Sequence, residues 1–239
     1  QSMLPLFVFA MLSAAFLSIQ KLNPIWFFAF FFSLGVERLM GSVDTARPAV
    51  RSFDAALLTG VGALFYAKGV FIYPILFLVM GVLRVANYRS LIASLMGFLF
   101  PFAMSFTYFF ATENMAGFLE HLNENLVSNP GQYNHTLYSK IYLGFFILLN
   151  AIGVMVVSRY MNVQKVIIRR YFRVFIWLIL LVGIAVLSPF FSNEILPIAI
   201  IGSTVIISFW IDKISKPMVK EVALWVITLL TVFGQFFLN

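Results

Sequence analysis

Three glutamates and one lysine are the residues of this 239-residue chain whose types and spacing could do chemistry. Glu113, Glu120 and Glu124 form a small acidic group in one polar stretch, and Glu120 and Glu124 lie one helical turn apart. Carboxylates so spaced can act as a general base or share a divalent ion with a substrate. They also suit the solvated face of an amphipathic helix. Lys68 stands alone between apolar runs, flanked by Tyr66 and Tyr73. A cation there could hold a phosphate group, or it could anchor the chain within an aromatic belt. His121 and His135 are too far apart for a zinc-bearing helix, and there is no cysteine, so neither a metal site nor a cofactor is expected.

These residues must be positioned by membrane helices. The chain is 62% hydrophobic, 18% aromatic and only 10% charged, against roughly 25% charged for an average soluble domain. A net charge of +7 in such a chain belongs to helix ends and anionic headgroups, not to nucleic acid. Nine apolar segments are discernible, over 4–19, 25–36, 55–67, 70–83, 91–111, 141–157, 174–187, 195–211 and 222–238. The expected fold class is all-α, a polytopic integral membrane bundle of about nine transmembrane helices.

The organising stretch runs from Arg47 to Arg89. Lys68-Gly69 interrupts it, and it reads as a hairpin with both ends in the cytoplasm. Its first arm carries small residues at helical spacing (Ala55, Thr59, Gly60, Ala63 and Ala67), which let helices approach closely where lipid removes the hydrophobic drive. Ser52 or Asp54 is expected to cap that arm, and Pro74 and Pro101 to kink their spans. With this hairpin and a cytoplasmic N-terminus, thirteen of the sixteen Lys and Arg residues fall inside and three outside. One long helix over 55–83 would reverse that bias and sink Lys68 into lipid. The C-terminus is then outside.

Gln1-Ser2-Met3 reads as an expression-tag remnant, leaving 4–239 as a single transmembrane domain. Within it, 112–140 is an outer loop with an interfacial amphipathic helix. The stretch 158–173 is a basic cytoplasmic loop whose Arg159, Lys165, Arg169, Arg170 and Arg173 would meet anionic lipid headgroups. Asn150, Ser203, Thr204 and Gln235 lie at depth and would bond a neighbouring helix or, with Thr59, line a polar path.

The string from Phe53 to Phe110 resembles the central part of a family of uncharacterised polytopic inner-membrane proteins of Bacteroidota. Asn23-Pro24, Phe53-Asp54-Ala55, Gly62 to Tyr66, Leu83-Arg84, Gly97, Pro101, Lys165 and Arg169 to Tyr171 carry the likeness. It implies a bacterial inner-membrane location and assigns no activity; the family's members open with a further hairpin. A carotene-oxygenase role attached to some members would need several histidines for iron and does not suit a chain with two. At the level of fold the chain also resembles multi-spanning polyprenyl-phosphate-sugar glycosyltransferases, although its first outer loop, Gln20 to Pro24, lacks their acid. That likeness implies a lipid-linked substrate at the outer leaflet in cell-envelope glycan assembly. Lys68, Tyr66 and Tyr73 would bind the lipid phosphate, and Glu113, Glu120 and Glu124 would serve catalysis. The alternatives are a small-solute or lipid transporter and a non-catalytic membrane subunit.

Overall fold

The computed structural model describes residues 3–15, 23–43, 45, 47–113, 117, 120, 126, 137–187 and 192–237. Among these residues every regular element is helical. Nine α-helices follow one another: α1 Leu4–Ala14, α2 Pro24–Met40, α3 Pro48–Phe65, α4 Pro74–Leu83, α5 Tyr88–Ala111, α6 Leu137–Met161, α7 Val166–Leu187, α8 Leu196–Lys213 and α9 Pro217–Phe237. Short 3-10 turns precede α4 (Ala67–Phe71) and α8 (Ser192–Ile195). Helices α5, α6, α8 and α9 are long and apolar enough to cross a membrane.

Proline sets many of the starts. Six of the nine helices (α1 to α4, α8 and α9) carry proline at their first or second position, where its missing N–H costs no hydrogen bond and its fixed φ suits the helix. Two expectations change accordingly. Helix α3 begins at Pro48, not at Ala55, so neither Ser52 nor Asp54 caps it; the Ser52 hydroxyl donates back to the Pro48 carbonyl at 2.9 Å. Pro74 opens α4 and kinks nothing, whereas Pro101 does lie inside α5. The basic stretch 158–173 is also mostly helix: α6 runs to Met161 and α7 starts at Val166, leaving a connection of four residues.

The chain divides into two compact units, residues 24–130 and residues 1–23 with 131–239. In the first, α3 packs against both α2 and α5. A methyl group on Gly35 of α2 would lie 2.8 Å from the Ala55 carbonyl oxygen, and one on Gly62 would press on Phe28 and Phe31. These contacts run in opposite senses along the two helices, so α2 and α3 are antiparallel. On the other side, a methyl on Gly60 would lie 2.6 Å from the Phe98 carbonyl oxygen, and one on Gly97 would collide with the Phe53 backbone. The same methyl on Gly60 would also lie 3.2 Å from the Pro101 ring, so the contacts advance together along the two helices, and α3 and α5 run in the same general direction. That is the relation a returning arm requires; α4 leads back in the sequence between them and packs against α2.

Each end of α4 is made by local chemistry. Tyr66 leaves α3 in an extended conformation (φ −129°), and the 3-10 turn follows. At the far end Arg84 adopts the left-handed conformation (φ 62°). Its amide donates to the Gly81 carbonyl and that of Val85 donates to the Met80 carbonyl, the paired closure usually built on glycine. Asn87 then caps α5, its Oδ1 accepting the Ser90 amide at 2.8 Å.

In the second unit α8 is the central helix, buried on most sides by α1, α6 and α7. Val157, Ile179 and Ile206 form a packed cluster, and Gly153 and Gly202 admit Ile206 and the Leu178 and Ile179 side chains close to the backbone. Helix α9 is tied to α1: Thr231 Oγ1 donates to the Met11 carbonyl at 2.9 Å and Gln235 Nε2 to that of Ala14 at 3.3 Å.

Candidate functional site

The turn between α3 and α4 places Lys68 in the interior, at 5% exposure, with Tyr66 and Tyr73 buried beside it in sequence. Tyr73 stacks on Phe98 with ring centres 3.9 Å apart, and its hydroxyl pairs with Ser94 Oγ at 3.1 Å. Tyr66 lies against the Phe28 ring, and Gly69 leaves that ring no room for a methyl group. Lys68 is therefore neither an exposed anchor in an aromatic belt nor an open cation facing a headgroup. Ala55, Thr59, Gly60 and Ala63 are buried where α3 meets its neighbours; Ala67 lies on the 3-10 turn, off the helix. Gly62, outside the expected small-residue stripe, also faces α2.

The acidic group is only partly described. Glu113 is exposed just past the end of α5, in a left-handed conformation (φ 57°), and Glu120 is exposed. Glu124, His121 and His135 lie outside the described residues, as does most of the expected interfacial helix; Gly117, Glu120 and Leu126 are each helical. Among the described residues, no three His, Asp or Glu side chains gather so as to hold a metal ion. Of the polar residues at depth, Gln235 does bond a neighbouring helix, through the Ala14 carbonyl, whereas Thr59 donates to the Ala55 carbonyl, Thr204 to that of Ile200 and Ser208 to that of Thr204 within their own helices. Ser203 Oγ is buried with no hydrogen-bond partner.

Two hollows lie in the second unit. One, of about 470 Å³, is an open groove among α6, α7 and α8, apolar except for Asn150. The other, a cleft of about 500 Å³, is formed where α6 and α8 end, by Val156, Arg159, Tyr160, Val163, Trp210, Lys213 and Ile214. The parallel register of α6 and α8 puts Lys213 Nζ 5.5 Å from the Phe209 ring centre and 5.8 Å from that of Tyr160. Aromatic faces so placed hold an ammonium group electrostatically. Two cations thus share one cleft with a tyrosine and a tryptophan. That combination suits a phosphate oxygen held by charge, with apolar surface beneath it. Arg169, near the start of α7, has its Nε shielded from solvent with no hydrogen-bond partner. Arg159 was visible in the sequence as a headgroup contact. Lys213 and Trp210 were not singled out, although tryptophan three residues before a terminal lysine is a signal of a membrane interface. No family model matches the chain, and neither a curated protein nor a solved structure does.

Proposed function

We propose that this chain is a multi-pass bacterial inner-membrane protein that binds a phosphate-bearing lipid, with Arg159 and Lys213 as the cations that hold the phosphate. The cleft at the ends of α6 and α8 carries this reading, because it joins two basic groups to Tyr160 and Trp210 above an apolar wall. The strong bias of Lys and Arg to one side supports a cytoplasmic position for that cleft, with the N-terminus on the same side and the C-terminus opposite.

A second reading keeps the outer-leaflet, glycosyltransferase-like role in envelope glycan assembly. One observation favours it: Lys68 is buried within the protein, where a lysine side chain is seldom found unless its charge is paired. Lipid phosphate would then need the turn at 66–73 to open.

Native mass spectrometry of the purified protein, with identification of the bound lipid, separates the two. The expected result is a phosphate lipid whose occupancy falls about tenfold in the Arg159→Gln/Lys213→Gln double variant, equivalent to about 1.4 kcal/mol, and is retained in Lys68→Ala. Loss in Lys68→Ala alone would move the site to the turn. Occupancy insensitive to all three substitutions would remove both readings.

A further inference from the structure

The cleft at the ends of α6 and α8 carries two positive charges and no negative one. Arg159 and Lys213 are the charged residues of its lining, and Val156, Val163 and Ile214 the aliphatic ones. Asp212 precedes Lys213 in the sequence, but it is exposed and takes no part in the lining. Arg159 and Lys213 are themselves exposed, so their charged ends are open to a ligand.

A headgroup bearing an ammonium is poorly served here. Both cations would repel it, and no carboxylate lines the cleft to pair with it. Aromatic faces can hold an ammonium group, but Lys213 Nζ already lies 5.8 Å from the Tyr160 ring centre and 5.5 Å from that of Phe209. A headgroup bearing hydroxyls gains little, since beyond the two cations only Tyr160 and Trp210 carry polar side-chain atoms in the lining. The cleft offers charge for an anion and apolar surface for a chain. If it holds a lipid phosphate, the choice is between a phosphodiester, with one negative charge, and a terminal phosphomonoester, with about 1.5 to 2 at neutral pH. Two cations match the second. A guanidinium can take two oxygens side by side, while the compact ammonium of lysine meets the third as a point charge.

We infer that the cleft selects lipids whose headgroup is a bare phosphomonoester over phosphodiester lipids, with Arg159 and Lys213 together meeting the dianion. This selectivity rests on the lipid-phosphate reading of the cleft and adds to it the kind of phosphate.

The test is a competition on the full chain, purified in detergent and stripped of lipid. The protein is offered equimolar phosphatidic acid, phosphatidylglycerol and phosphatidylethanolamine with identical acyl chains, and bound lipids are counted by native mass spectrometry. Phosphatidic acid should be held about fivefold over phosphatidylglycerol, as added charge facing two solvated cations implies, and phosphatidylethanolamine least. Arg159→Gln or Lys213→Gln should each bring the first ratio close to one; both positions are exposed, so the fold is not at stake. Equal binding of phosphatidic acid and phosphatidylglycerol, both lost in the double variant, would overturn the selectivity and leave the lipid-phosphate reading standing. Binding of all three lipids indifferent to Arg159 and Lys213 would remove that reading as well. A preference for phosphatidic acid that survives in the double variant would place the selecting group elsewhere and also overturn the inference. Glycerol 3-phosphate at the same concentration should displace little phosphatidic acid, because it lacks the chain that rests on the apolar wall. Full displacement would make the ligand a soluble phosphomonoester and not a lipid.

Discussion

In residues 24–130, α3 lies so close to both neighbours that Gly35, Gly60 and Gly97 leave no room for a methyl group and Gly62 leaves little, while Gly81 on α4 faces open space. In the unit built from residues 1–23 and 131–239, Gly234 is equally crowded and Gly153 and Gly202 are tight against side chains, yet Gly144 and Gly183 face open space and three helices border an open apolar groove of about 470 Å³. The same residue type thus marks two physical situations. In one, glycine lets backbones touch, so that dispersion and close packing replace the absent hydrophobic drive. In the other, glycine leaves volume that the protein does not fill itself.

The sharpest way to break this contrast is Gly97→Leu. The new side chain would have to displace the Phe53 backbone, and over-packing of this kind costs about 1–3 kcal/mol or more. A large fall in melting temperature, or loss of a monodisperse species, is expected; normal thermal stability would mean that α3 and α5 are not held in register as described. Tyr73→Phe comes next. It leaves the buried Ser94 hydroxyl without its partner and should cost about 1–2 kcal/mol, read as a drop in melting temperature. Arg84→Gly acts in the opposite direction. It relieves a left-handed arginine and should stabilise by about 1 kcal/mol net of glycine's greater freedom when unfolded. A destabilised Arg84→Gly protein would show instead that the arginine side chain holds the turn. The smallest effect belongs to Gly183→Leu, which should leave stability unchanged or raise it by less than about 1 kcal/mol through helix propensity. A cost comparable to that of Gly97→Leu would erase the difference between the units.

Much of the fold was legible in the sequence because bilayer-scale apolar runs are a strong signal. Each of the nine expected segments overlaps a helix, four of them long and apolar enough to cross a membrane, and the Lys68-Gly69 interruption does separate α3 from α4. The helix starts were missed for a simple reason. Ser52 and Asp54 beside the apolar run suggest a cap, whereas proline at the first positions fixes the start without a side-chain acceptor. The candidate sites were less legible. Arg159 announced itself by charge, but its association with Lys213 and Trp210 depends on the register of α6 against α8, helices separated by α7. The groove beside Asn150 is a shortage of volume shared by three helices, and no local pattern encodes a shortage. Asn150 in the middle of a span was a visible oddity; that its amide would be only half satisfied was not.

The packing of α3 also has a consequence during synthesis. Helix α2 precedes α3, so the face containing Ala55, Thr59 and Gly62 meets its partner as soon as it forms. The opposite face must wait, because Gly97 lies thirty-seven residues after Gly60. At 5–20 residues per second that interval is about 2–7 s. For those seconds a strip of backbone adapted to another helix stands bare beside the translocation machinery. The nascent chain is most exposed to wrong pairing in that interval, before α5 arrives.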